Sequence, residues 1–364
     1  MVEFVQCRNV RISEVTLKNS SGWTLRPINC ESVFIDGVRI RNPFWGRNTD
    51  GMDITSCRNV FVSNCDIVGG DDAICLKSEN PYGADVLPTK NITITNCVIS
   101  SASNGFKMGT ATRGAFENIV FSNSVIYSDN GSPMMNRVIG GINVETVDGG
   151  SVDGVVVSNI RMQNVRAPIF VRMGSRTKGE NSFLRNVLIE GVDATGSIVT
   201  SSITGVPGLR PSDVTISNCR LRTVEQGPAD WVHRTIPEDA DGYPESWNMG
   251  RLPAYGFYVR HADRVRLRNV ECIADKPDGR PAIVCDDVED IILAGLELSA
   301  PAGAAPLFDL RNTRRAFLTG MRSPAGNNVF AQISGAASTG IVLSGNSLEP
   351  HQQAVTYIDG ATEP

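Results

Sequence analysis

Four short phrases carry side chains able to do chemistry at places where turns are expected. They are Asn48-Thr49-Asp50-Gly51, Gly69-Gly70-Asp71-Asp72, Ser103-Asn104-Gly105-Phe106-Lys107 and Gly141-Ile142-Asn143-Val144-Glu145. Asp50 precedes Asp71 by 21 residues, Asp72 precedes Asn104 by 32, and Asn104 precedes Asn143 by 39. Carboxyl groups brought together are costly to ionise at once, so at least one pKa rises and that group keeps its proton near neutral pH. One protonated and one ionised carboxyl is the equipment of general acid–base catalysis, and of glycoside hydrolysis in particular. Taken singly, an Asp-Gly or Asp-Asp pair is an ordinary turn. Only a fold that lines the phrases up turns them into a site.

The rest of the chain supplies such a fold. A phrase of the form Asn/Asp, apolar, x, apolar, x, small-polar, x, x, apolar recurs ten times, starting at Asn9, Ser32, Asn59, Asn91, Asn118, Gly154, Asn186, Asp213, Arg264 and Asp290. The spacings are 23, 27, 32, 27, 36, 32, 27, 51 and 26 residues. Each copy alternates apolar and polar residues as a short strand does, and Asn- or Gly-containing turns follow. A unit this short cannot bury its own apolar face, whereas stacked units bury a continuous core. The pattern predicts an all-β parallel β-helix, a single-stranded solenoid of roughly 25-residue coils. One repeat copy lies in each gap between the four phrases. Adjacent strands are about 4.8 Å apart, so Asp50 and the Asp71–Asp72 pair are expected as stacked neighbours on one face.

Composition fits one large folded unit: 364 residues, 41% hydrophobic, 20% charged and a net charge of −5, without the excess of basic charge that marks a nucleic-acid surface. No stretch approaches the ~20 apolar residues of a membrane helix, and no signal peptide is visible at the start. Neither a nucleic-acid nor a membrane partner is expected, and oligomeric state is invisible. The nine cysteines recur at fixed phases of the repeat (Cys7, Cys30 and Cys57; Cys65, Cys97 and Cys219), as buried small apolar residues do. There is no CxxC pair and there are only three histidines, so neither a zinc site nor any other cofactor is expected. One domain spans 1–364, with a long insertion around 226–254 and a looser cap after about 300. Six aromatics run through and just beyond the insertion (Trp231, Tyr243, Trp247, Tyr255, Phe257, Tyr258). They suit either a wall for stacking sugar rings or a loop folded back on the coils.

The stretch Asn48–Ser78, NTDGMDITSCRNVFVSNCDIVGGDDAICLKS, resembles the family 28 glycoside hydrolases, the polygalacturonase family. The resemblance extends at least from Cys7 to about Asn164, and LPAYGFYVRH from Leu252 to His261 is similar to a bacterial branch of that family. It implies a right-handed β-helix and metal-free hydrolysis of pectic polysaccharide or oligosaccharide with inversion. Asp71 matches the family's general acid, and Asp50 and Asp72 the pair that activates water. Asn48 belongs to the matched phrase as a substrate-binding candidate. Relatives carry further segments before the first phrase matched here, so an uncovered first rung is expected to present a sticky strand edge.

Two departures bear on substrate. Ser103-Asn104-Gly105 stands where polygalacturonases have Gly-His-Gly, and Asn143-Val144-Glu145 stands where they have Arg-Ile-Lys. The family's basic pair holds a galacturonate carboxylate, and Glu145 would repel one. A rhamnogalacturonan-type or branched pectic substrate therefore fits better than plain homogalacturonan. Lys107 restores a positive charge there or sits on a solvated face. Lys77 tunes Asp71, binds substrate, or pairs with a neighbouring Asp. Arg260 and His261 are structural or hold a substrate carboxylate. Two other activities remain open: a β-helix polysaccharide lyase and a non-catalytic carbohydrate-binding solenoid.

Overall fold

A computed structural model describes residues 1–83, 85–177, 179, 181–350 and 352–363. Within them, 28 strands form one sheet and every strand pairing is parallel. The chain is a right-handed parallel β-helix. Among the described residues the helical elements are two short 3₁₀ turns, at Met134–Asn136 and Ala229–His233.

Inward columns of apolar side chains make the core. Val10, Val33, Val60, Ile92, Ile119, Val155, Val187, Val214, Val265, Ile291 and Ala316 pair in register from coil to coil. A second column runs Leu25, Met52, Ile74, Phe106, Ile142, Ile169, and all six are fully buried.

The repeat's polar anchors set the corners. All ten anchor residues named above have φ between 50° and 81°, in the left-handed region. Asn tolerates this conformation better than most residues because its short side chain bonds locally. The asparagines also bond one another along the axis: Asn91 Nδ2 donates to Asn59 Oδ1 at 2.9 Å, and Asn118 Nδ2 to Asn91 Oδ1 at 3.1 Å. The cysteines are free thiols and all but Cys7 are buried.

The insertion lies against the coils through Ile236, Met249, Leu252 and Ala254, which pack on Phe170, Tyr258 and Val284. Its aromatics divide. Tyr255, Phe257 and Tyr258 are buried among the coils, whereas Tyr243 and Trp247 are half exposed. Beyond residue 300, parallel rungs continue to Gln353–Ile358.

Candidate active site

Asp50, Asp72 and Asn104 stand two residues before Met52, Ile74 and Phe106, which are register partners. They occupy one position on three successive coils. Backbone bonds from Gly51 N–H to the Asp72 carbonyl (2.9 Å) and from Ala73 N–H to the Asn104 carbonyl (2.8 Å) fix that alignment. The next outward column holds Asp53, Cys75, Lys107 and Asn143. Segment 43–49 closes directly over Gly70. A Cβ there would lie 2.3 Å from the Gly46 carbonyl oxygen and 2.5 Å from that of Pro43, so only glycine allows the approach that sets Asp71 beside its neighbours.

Asp50, Asp71 and Asp72 each offer a carboxylate oxygen, and the three atoms lie within 4.8 Å of one another. Such a set has the oxygen donors a hard cation takes, but two ammonium groups already supply positive charge around it. Asp72 is buried and accepts bonds from Ser103 Oγ (2.8 Å), Asn104 Nδ2 (2.7 Å) and the Asn104 backbone N–H (3.2 Å). Lys107 Nζ lies 3.3 Å from its other oxygen. Burial works to raise the Asp72 pKa, but Lys107, Lys77 and these hydrogen bonds override it and hold the group ionised, below the usual range. Asp71 is half exposed and accepts from the Asp72 and Asn48 backbone N–H groups at 2.9 and 3.3 Å. Burial and the Asp72 charge push its pKa up. Asp50 goes further, to about 9, through burial and the charges of Asp53, Asp72 and Asp71. Its Oδ1 is buried with no hydrogen-bond partner among the described residues. The cluster therefore holds one carboxylate whose pKa is pushed down beside two whose pKa values are pushed up.

Lys77 is buried and lies 3.2 Å from Asp53 and 4.7 Å above the Trp23 ring. It is an ion-pair partner beneath the site. Lys107 is completely buried, so it is not on a solvated face. Its Nζ meets Glu245 Oε1 at 3.0 Å and the Tyr243 hydroxyl at 3.3 Å, in addition to Asp72. Burial opposes its charge, yet Asp72, Glu245 and Glu145 keep it protonated. Asn104 Nδ2 also donates to Glu245 Oε1 at 3.1 Å, and Asn143 Nδ2 donates to Asn104 Oδ1 at 2.9 Å and to Glu145 Oε1 at 3.2 Å. Glu145 is fully buried, and burial raises its pKa well above the usual carboxyl range. Asn48 remains exposed beside Asp71.

Arg260 and His261 are not brought to this cluster. The strand register runs Glu145, Arg172, Thr204, Arg260, which places Arg260 three rungs past Glu145, about 14 Å away at the usual rung spacing. Arg260 pairs with Glu238 of the insertion and lies 3.5 Å from Asp286; His261 sits between Asp287 (2.7 Å) and Glu238 (3.2 Å). These acids use the positive charge internally.

Sequence reasoning missed Asp53 and Glu245, and it named Tyr243 only as one of six aromatics of the insertion, without its contact to Lys107. Asp53 is buried like the rest of the strand Met52–Thr55, and in sequence it stands at an ordinary outward position of the alternation. Glu245 lies 141 residues from Asn104 in an aperiodic loop, and no local pattern ties the two together.

The chain is similar to known proteins along much of its length. The model of the family described as glycosyl hydrolases family 28 matches residues 1–234. An endo-polygalacturonase of Pectobacterium parmentieri is 27% identical over 237 residues, covering 61% of this chain and 52% of that protein. A probable polygalacturonase of Vitis vinifera is 36% identical over 78 residues, covering 21% of this chain and 16% of that one. The crystal structure of a hyperthermoactive exopolygalacturonase from Thermotoga maritima superposes with a TM-score of 0.52 at 25% identity, covering 61% of this chain and 50% of that chain. The chain spans about half, or less, of the length of the curated relatives it matches. With the family model covering well over half of its residues and the carboxylates stacked in one place, the chain belongs to family 28 of the glycosyl hydrolases.

Proposed function

We propose that the protein hydrolyses glycosidic bonds in pectic polysaccharide or oligosaccharide, with Asp71 as general acid and Asp72 as general base. The carrying observation is the split within one cluster whose oxygens lie within 4.8 Å of one another: Asp72 is pushed down in pKa while Asp71 and Asp50 are pushed up. Asp71, the most exposed of the three, gives its proton to the glycosidic oxygen as the bond from that oxygen to the anomeric carbon breaks. A water attacks the anomeric carbon and loses its proton to Asp72. Asp50 fits here as a neutral hydrogen-bonding partner that orients the water, a narrower role than that of a second base. The family resemblance points to inversion, although the spacing of these oxygens is nearer that of retaining enzymes.

A neutral sugar beside the cleavage point, as in rhamnogalacturonan or a branched pectic chain, fits better than an unbroken run of galacturonate. Both lysines near the acids are buried in ion pairs, and Asn143 and Glu145 offer no basic group. The lyase alternative loses support for the same reason: neither lysine is free to take a proton.

Product analysis on homogalacturonan, rhamnogalacturonan and their oligosaccharides tests this reading. Asp71→Asn is expected to lower release of reducing ends at least 10³-fold, a loss typical of removing a general acid, while binding survives. Full activity in that variant overturns the assignment, and the anomer first formed, read by NMR, decides between inversion and retention.

A further inference from the structure

We propose that Glu245, delivered by the insertion, fills the anion position of this site and so excludes a uronate from the subsite beside Lys107; Glu245 is a selectivity-determining residue. This rests on the functional reading above and deepens it.

Lys107 and Asn104 together form an anion-binding pair, one ammonium and one amide, adjoining the ionised Asp72. A substrate carboxylate would bind there by charge-assisted hydrogen bonds. Glu245 already makes those bonds: Oε1 lies 3.0 Å from Lys107 Nζ and 3.1 Å from Asn104 Nδ2, and Oε2 lies 3.4 Å from the same amide. The Tyr243 ring covers the ammonium at 4.9 Å, and its hydroxyl takes a further bond. Lys107 has no exposed surface and Glu245 is 8% exposed, so the pair is closed from solvent. The lowered pKa of Asp72 puts a negative charge beside it. An incoming galacturonate meets acids whose adjoining ammonium, Lys107, is already paired, whereas a neutral sugar meets no such repulsion. The short segment Tyr243–Trp247 thus gives the coils a carboxylate that would otherwise come from the ligand. Glu245→Ala removes that carboxylate and leaves a space of its size next to Lys107 and Asn104.

The test measures binding of trigalacturonate and of a rhamnogalacturonan oligosaccharide by calorimetry, with Asp71→Asn present throughout so that turnover does not interfere. Adding Glu245→Ala is expected to improve the trigalacturonate Kd relative to the rhamnogalacturonan Kd by at least tenfold. Glu245→Gln, which keeps the shape and the Asn104 bond, is expected to give a smaller shift in the same direction, and circular dichroism checks that both variants fold. Acetate added to Glu245→Ala is expected to compete with trigalacturonate and return the ratio toward that of the protein with Glu245 intact. An unchanged ratio in both folded variants overturns the proposal, as does trigalacturonate binding with Glu245 in place as tight as that of the rhamnogalacturonan oligosaccharide. Failure of hydrolysis in the product panel with this ratio still shifting would reject the catalytic reading and leave the role of Glu245 standing.

Discussion

Two nests of charge lie along the same stack of coils, one buried and one partly exposed, and they differ in how acids and cations are matched. Around Asp72, six acids (Asp50, Asp53, Asp71, Asp72, Glu145 and Glu245) share two ammonium groups, Lys77 and Lys107. Around Arg260, Arg210, Arg260 and the His261 ring face Glu238, Asp263, Asp286 and Asp287, and Arg172 donates to the Glu238 backbone carbonyl. The consequence shows in the carboxyl groups. In the first nest burial outweighs the available positive charge, and Asp50, Asp71, Glu145 and Glu245 are pushed up. In the second, burial also works to raise Asp287, but His261 and Arg210 hold it below the usual range. The nest around Arg260 ties the insertion to the coils; the nest around Asp72 leaves most of its acids with raised pKa values.

Lys107→Met gives the largest effect on stability and breaks the comparison most directly. It strands Asp72 and Glu245 in the interior, and breaking a buried pair in this way costs about 3–5 kcal/mol. Urea unfolding should show that loss, together with an upward shift of the pH below which activity falls, since Asp72 loses its strongest stabilising charge. Asp50→Asn sharpens the comparison through pH. The folded-state pKa of Asp50, about 9, lies far above the ordinary aspartate value near 3.9. The folded protein therefore holds a proton that the unfolded chain releases, and this contribution to stability is present in acid and lost as pH rises toward 9. The melting temperature of the parent should fall relative to that of Asp50→Asn across pH 5–9, and parallel curves would refute the proton on Asp50. The smallest effect is expected in the nest around Arg260. Glu238→Gln should lower stability by about 1–2 kcal/mol, the cost of weakening charge-assisted bonds. It should leave kcat within twofold; a larger loss would tie Arg260 and His261 to the chemistry.

The sequence carried the solenoid because each coil repeats the same constraint. The anchors at Asn9, Asn59, Asn91 and Asn118 are all left-handed corners, and the apolar residue after each one enters the core. It carried Asp50, Asp72 and Asn104 for the same reason, since equal phase on stacked coils means adjacency. It did not carry the contacts of Tyr243 and Glu245 with Lys107. A loop outside the repeat has no phase, and its contacts follow from the packing of Ile236, Met249 and Leu252 on Phe170 and Tyr258. Nor did composition show that Lys77 and Lys107 lie inside. Burial of a lysine depends on which acids surround it in space, and those acids come from other coils and from the insertion.

The left-handed corners also bear on how such a molecule can be altered. Ten anchors keep one backbone conformation although the chain between successive anchors varies from 23 to 51 residues. Whatever is spliced between two corners leaves the stack in register, because the asparagine ladder and the inward valine and isoleucine columns close each turn independently of its detours. The segment 226–254, which carries Glu245 to the coils, is thus the place for libraries, because it lies outside the axial framework that aligns the aspartates.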